Sequence, residues 1–307
     1  MLDEINAAAA PYITSLNIQG LQGRMLVHPT RNKRYTKEIL VIYGVHASLE
    51  RNWGVARFLA RYGTVTMPDL PGFGGMKPFS AIGLEASIDN YADYLAAFIK
   101  LQYRRKKIVL AGISFGFVVV TRMLQRYPEL RNKVELLVSI VGITDRNNFS
   151  FGIGLRSVFE ALFVVCRTPG VGWVLNHIIL GKTFFRLAYH NHKKMTELDS
   201  SARAAMIDME ALLWRCNDIR TYGSVMHQLF TLRQPNIRVP MEVHHIGVAA
   251  DQWLDDTRVQ AKMAEQFLTV TPHKTPMKNH GATLIGDESE AASLVPESII
   301  KLLRKKT

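Results

Sequence analysis

Apolar and polar positions along this chain follow two rhythms. From Ile39 to Val141, short continuous apolar runs recur: Ile39-Leu40-Val41-Ile42-Tyr43, Thr64-Val65-Thr66-Met67, Val109-Leu110-Ala111 and Val134 to Val141. Runs of this kind are buried on both faces of a parallel sheet. Helical spacing separates them, over Asn52 to Tyr62, over Ser87 to Leu101 with Ile88, Tyr91, Leu95, Phe98 and Ile99 on one face, and over Phe117 to Leu124. Strands alternating with helices at this spacing predict an α/β fold with a doubly wound, mostly parallel sheet, whose sites gather beyond the carboxyl ends of the strands. Gly44, Ser114 and Gly142 fall at such ends. Upstream, weaker strand signals at Tyr12 to Asn17 and Arg24 to His28, followed by the turn-like Pro29-Thr30-Arg31-Asn32-Lys33, predict an antiparallel edge pair.

The alternation stops after Asp145. Apolar spacing through Val158-Phe159-Leu162-Phe163, Met206-Met209-Leu212-Leu213 and Val225-Met226-Leu229-Phe230, broken at Pro169-Gly170-Val171-Gly172, predicts an all-helical insertion. Residues 146–234 are expected to form a cap, or lid, over the strand ends of a core domain made of residues 1–145 and 235–307. The sheet resumes at Met241 to Ile246. A helix is expected through Val259, Met263 and Phe267, with Asp255 and Asp256 as its N-caps. Thr269-Val270-Thr271 is the candidate last strand, and Pro296 stands near the start of a final amphipathic helix through Ile299, Ile300, Leu302 and Leu303.

Composition changes this picture little. With 307 residues, 48% hydrophobic and 21% charged, the chain can bury a large core. The acidic start Met1-Leu2-Asp3-Glu4 lacks the basic and apolar regions of a signal peptide, and the two cysteines, Cys166 and Cys216, sit among apolar residues as free thiols do. A cytoplasmic location is the expectation. The longest uncharged run of the most apolar region, Thr168 to Gly181, is too short to span a bilayer. The formal charge of +12 is dispersed, with short clusters only at Arg104-Arg105-Lys106-Lys107 and Arg304-Lys305-Lys306, and no aromatic interleaving accompanies it. No nucleic acid is expected as a partner; a weak contact with an anionic membrane surface is the most that the charge suggests.

The candidate chemistry starts at Gly112-Ile113-Ser114-Phe115-Gly116, where an apolar run stops and a helical one begins. A serine on so sharp a strand-to-helix turn is exposed at a helix N-terminus, where free N–H groups favour developing negative charge. To act as a nucleophile it needs a base, and a histidine base works best beside a carboxylate. His280 lies in a glycine-containing loop after the last candidate strand and before the terminal helix. On position alone, a base and an ordinary surface-loop histidine are equal readings. Asp251 follows Met241 to Ile246 and the turn Gly247-Val248-Ala249-Ala250, and is favoured as the acid over Asp145, which follows the strand ending at Gly142. Asp69, in Pro68-Asp69-Leu70-Pro71-Gly72, reads as a turn residue, and Trp253 as a pocket wall or a buried loop anchor. His190-Asn191-His192 and His244-His245 have no cysteine or carboxylate cluster to complete a metal site.

In this order, Gly112-Ile113-Ser114-Phe115-Gly116, Asp69-Leu70-Pro71-Gly72-Phe73-Gly74, the Asp251 turn and Asn279-His280-Gly281 resemble the α/β-hydrolase fold superfamily, in its serine-nucleophile branch with a helical cap inserted after the sixth strand. The resemblance runs from about Tyr12 to Leu303. It implies a Ser114–His280–Asp251 triad that cleaves an ester-like bond of a small acyl substrate without cofactor or metal. It also implies an oxyanion hole from the backbone N–H groups of Phe115 and Val45, with His46 and Trp253 as candidate substrate contacts. Where the family usually has His-Gly, this chain has Tyr43-Gly44. Members that open epoxides or remove halide carry aspartate at the position of Ser114, so the resemblance disfavours those reactions. Carbon–carbon, thioester and amide hydrolysis share the constellation, as would a ligand-binding member without turnover. The apolar insertion, with Phe149, Phe151, Phe159, Phe163 and Trp173, suggests a hydrophobic substrate, and Arg156, Arg167, Arg186 and Arg215 favour one carrying a carboxylate.

Overall fold

The computed structural model describes residues 2–175, 200–277, 280 and 288–305. Eight strands form one sheet: β1 (Ile13–Ile18), β2 (Leu21–His28), β3 (Lys37–Ile42), β4 (Gly63–Pro68), β5 (Ile108–Ile113), β6 (Val134–Ile140), β7 (Val239–Ile246) and β8 (Phe267–His273). Their spatial order is β1-β2-β4-β3-β5-β6-β7-β8. β1 pairs antiparallel with β2 and β2 with β4, while every pairing from β4 to β8 is parallel. The expected edge hairpin and parallel core are both present. Central β5 is buried almost throughout, as its unbroken apolar run requires, whereas edge strand β1 alternates between buried and exposed positions. Ile113, Ile140 and Ile246 lie in register across β5, β6 and β7, so the loops that follow emerge at one edge of the sheet.

The helices α1 (Leu2–Ala9), α2 (Trp53–Leu59), α3 (Ile88–Gln102) and α4 (Phe115–Arg126) precede β6. Ser87 caps α3 by accepting the N–H of Asn90 at 3.1 Å. α4 buries Phe117, Val118, Val119, Val120, Met123 and Leu124, a wholly apolar contribution of about 1.5–3 kcal/mol per side chain. It begins two residues earlier than its apolar spacing suggests, because the turn at Ser114 already closes the first helical bond. Between β6 and β7 come α5 (Ile153–Cys166), α6 (Pro169–Val174), α7 (Ser200–Cys216) and α8 (Ile219–Phe230). Pro169, expected only as a break, opens α6, since a first-turn proline loses no helical hydrogen bond. Helices α5 and α8 meet at Gly223, where a β-carbon would stand 2.8 Å from Cys166 Cβ. Phe149, Phe151, Phe159, Phe163 and Phe230 form an aromatic cluster continuous with the main core. Trp173's side chain, Arg186, His190 and His192 lie outside the described residues.

After β7 come α9 (Asp256–Gln266), α10 (Glu288–Leu294) and α11 (Glu297–Arg304), with Pro296 as the N-cap of α11. The helix expected through Phe267 ends one residue earlier: Phe267 is extended and opens β8, where its ring packs on Phe117. Asp255 caps α9 as expected, but Asp256 does not. Its carboxylate turns inward to His245, 2.9 Å away. Among the described residues, no helix is long and apolar enough to cross a membrane.

Two glycines test this packing. Gly116→Ala would put its β-carbon 2.1 Å from the backbone oxygen of Ile42 and is expected to destabilise the protein by about 3 kcal/mol in urea titrations. Gly154→Ala, in α5 with open space around it, is expected to stabilise by about 0.5 kcal/mol. Equal effects would contradict the described packing.

Candidate active site

β5 ends at Ile113, Ser114 takes φ 52° and ψ −116°, and α4 starts at the next residue. Such a backbone costs a residue with a β-carbon about 1–3 kcal/mol, so its surroundings must hold it. They do so through hydrogen bonds from Ser114 N–H to Ile140 O (2.9 Å) and from Phe117 N–H to Ser114 O (3.0 Å). The flanking glycines have no room for a side chain. A β-carbon at Gly112 would stand 2.6 Å from Phe117 Cα, and the one at Gly116 would strike β3. The result is a half-buried serine at the exposed end of the central strand.

Three side chains from three loops meet there. His280 Nε2 lies 3.0 Å from Ser114 Oγ, and His280 Nδ1 lies 2.7 Å from Asp251 Oδ2. A carboxylate can only accept, so Nδ1 carries the hydrogen and Nε2 is left to accept the serine's O–H. Asp251 is fixed in turn: its other oxygen accepts the N–H of Trp253 at 2.8 Å. The Asp251 side chain is 2% exposed and that of His280 22%, which leaves the histidine open towards the serine and the carboxylate shielded behind it. Asp145 is turned away, capping a short 3₁₀ turn by accepting the N–H of Asn147 at 2.8 Å. The structure therefore joins Ser114, His280 and Asp251, and leaves Asp145 out.

The two residues expected to supply backbone donors, Phe115 and Val45, belong to the segments that adjoin the serine. Phe115 is the first residue of α4, so its N–H has no acceptor within the helix, and the positive end of the helix dipole lies at the same spot. The loop after β3 presses on the serine, since a β-carbon on Gly44 would stand 3.2 Å from Ser114 Cβ. Val45 follows in that loop and is partly buried against the core. Tyr43 anchors the loop from below. Its hydroxyl donates to Asp69 Oδ1 at 2.7 Å and accepts the N–H of Leu70 at 3.0 Å. Asp69 is fully buried, and burial pushes its carboxyl up to about 8 against the pull of Arg24 and Tyr43. This is the structural turn role expected of Asp69, with Tyr43 doing the pinning at the position where the resembled family usually has histidine.

Of the two candidate substrate contacts, Trp253 is 37% exposed and stands edge-on to Phe151 at 5.3 Å, an apolar wall beside Asp251. The ring of His46 is taken up by α7 and α8, lying tilted against Trp214 with ring centres 4.2 Å apart. One buried constellation escaped the sequence reading. His245 Nδ1 lies 3.0 Å from Ser139 Oγ, and its Nε2 meets Asp256, beneath the Gly247 turn that leads to Asp251. Strand alternation was the available signal, because His245 must face opposite to His244, which pairs with His273 at 3.0 Å. Ser139 and His245 are fully buried and only Asp256 is partly exposed, so the serine of this second Ser–His–Asp set is closed to a substrate and the set supports the acid loop.

No protein-family model matches the chain, and no curated protein sequence does. Solved structures match in three dimensions. An esterase from Thermogutta terrifontis superposes with a TM-score of 0.60 at 17% identity, covering 95% of this chain and 97% of its own. The epoxide hydrolase CorEH gives 0.65 at 15%, covering 94% and 98%, and a bacterial membrane phospholipase A gives 0.64 at 16%, covering 99% and 92%. Sheet order, strand-to-helix serine turn and full-length superposition together identify the fold of this chain as the α/β-hydrolase fold.

Proposed function

We propose that the protein is a cofactor-free serine hydrolase that cleaves an ester-like acyl bond of a small hydrophobic substrate through an acyl-enzyme. The observation that carries this reading is the continuous hydrogen-bonded chain from Ser114 through His280 to Asp251 at the end of the central strand. His280 takes the proton of Ser114 as Oγ attacks the carbonyl carbon. Asp251 keeps Nδ1–H in place and stabilises the imidazolium that forms. The N–H groups of Phe115 and Val45 receive the negative oxygen of the tetrahedral intermediate, each worth about 3 kcal/mol to the transition state. His280 then returns its proton to the leaving alcohol, and water, deprotonated by the same ring, releases the acid.

Position 114 argues against epoxide opening despite the fold shared with CorEH, because that chemistry in the resembled family uses a carboxylate nucleophile. The esterase and phospholipase among the structural neighbours favour the acyl reading. We read helices α5–α8 as a cap. Phe151, Phe159 and Phe230 lie against one another, Phe151 meets Trp253, and this apolar wall beside Asp251 suits an acyl chain better than a charged group. Arg156, one of the basic residues considered for a substrate carboxylate, is half-buried and donates to the backbone oxygen of Arg146.

The wild-type protein is expected to label covalently with a fluorophosphonate probe and to turn over p-nitrophenyl esters. Ser114→Ala should abolish labelling and reduce kcat/KM by at least about 10⁴-fold. Absence of labelling in the wild type would remove the acylating-enzyme reading altogether. Asp251→Asn should reduce kcat by about 10³–10⁴-fold, since the wrong tautomer is then favoured, whereas Asp145→Asn should stay within about threefold of wild type. The reverse ranking in steady-state assays would show that the acid has been misassigned.

A further inference from the structure

The helices inserted between β6 and β7 grip the loop after β3 through one side chain. His46 directly follows Val45, and its backbone has φ 53°, a left-handed value that a β-carbon disfavours. Its ring is held on three sides by the insertion. Nε2 lies 2.9 Å from Glu210 Oε2 on α7, and Nδ1 lies 3.3 Å from the Asn217 amide nitrogen at the α7–α8 junction. Trp214 packs tilted against the ring at 4.2 Å and Tyr222 in a T-shaped arrangement at 5.8 Å. From the core side, Arg51 donates to His46 O at 3.1 Å and stands 3.7 Å from Glu210 Oε1.

These contacts fix one arrangement of hydrogens. Asn217 Oδ1 accepts the N–H of Gly74 at 2.8 Å, which turns its NH₂ towards His46. Nδ1 must then accept, and Nε2–H must donate to Glu210. Burial holds His46 below the usual histidine range, which keeps the ring in this neutral form. Burial opposes the charge of Glu210, but the hydrogen bond from His46 and the nearby Arg51 outweigh it and keep the carboxyl ionised. The junction is itself docked on the core by two backbone bonds, Gly75 N–H to Cys216 O (2.9 Å) and Asp218 N–H to Gly72 O (2.8 Å). The grip therefore connects two anchored bodies.

Taking the serine-hydrolase reading as its basis, we propose that His46 is a positioning residue: by holding Glu210 and Asn217 it fixes the Val45 N–H beside Ser114, so that α7 and the α7–α8 junction take part in stabilising the oxyanion. A backbone donor acts on the developing charge only within narrow limits of distance and direction. Gly44 adds to the need for an external hold, because as a glycine it leaves the loop free to swing. A glycine at position 46 would satisfy φ 53° without strain. The histidine is needed only for its ring.

His46→Gly tests this by keeping the backbone conformation accessible while deleting the grip, and Glu210→Leu tests it by removing the acceptor of the ring N–H at similar side-chain size, which a glutamine would not do because its amide oxygen still accepts. On p-nitrophenyl esters, His46→Gly is expected to lower kcat by about 10- to 100-fold and Glu210→Leu by about 3- to 10-fold, with KM within about threefold of wild type. The rate of fluorophosphonate labelling at Ser114 should fall in parallel. His46→Gln, whose amide restores a donor towards Glu210, should recover part of the loss. Unchanged kcat in His46→Gly overturns the proposal, as does a loss confined to KM, which would make the ring a substrate contact. Should His46→Gly fail to fold, Glu210→Leu decides, and wild-type kcat in that variant overturns it. A wild-type protein that never labels sinks the serine-hydrolase reading first and this inference with it; a labelled wild type with indifferent variants sinks the inference alone.

Discussion

The close approach of α4 to the ends of β3 and β5 is the constraint on which the rest of the site depends. Gly116 lies where a β-carbon would stand 2.1 Å from Ile42 O, and Gly112 where one would meet Phe117. Only with both side chains absent can the helix start immediately after the strand, and only then does Ser114 take its strained conformation with Oγ directed out of the sheet. The strain is stored in the central part of the fold, where β5 and α4 are buried almost completely and cannot relax cheaply.

Around that rigid point the loops are placed by buried polar side chains more than by their own conformations. Tyr43 and Asp69 hold the base of the loop after β3, while His46, Glu210 and Asn217 hold its tip. Ser139, His245 and Asp256 lie under the turn that carries Asp251. Each set joins segments far apart in sequence, and each is shielded enough for its hydrogen bonds to outlast competition from water. The site is thus a product of the core's polar minority. The apolar majority fixes where the strands end, and these few groups fix how the chain leaves them.

Much of this was legible along the chain. β3, β4, β5 and β6 are short apolar runs because they are covered on both faces, and burial of that kind leaves the same mark on any sequence. The serine turn was legible because its steric demand falls on fixed neighbours, Gly112 and Gly116. Asp251 and His280 could be proposed from their places after β7 and β8. The roles of Asp256 and His46 could not be read so directly. Asp256 has the composition of a helix cap beside Asp255, and only the arrival of His245 from β7 turns its carboxylate inward. His46 carries no local signal for Glu210, 164 positions away.

The sequence by itself determined the alternation of strands and helices, the serine turn and the candidates for base and acid. These follow from short-range properties: periodicity, the size of glycine and the ends of apolar runs. The tertiary structure alone decided that Asp251 and not Asp145 meets His280, that Tyr43 pins the loop through Asp69, and that the inserted helices reach His46. A hydrogen bond between distant residues depends on both groups reaching one point in one orientation. Spacing along the chain does not encode that coincidence, whereas the packing of the sheet and helices enforces it.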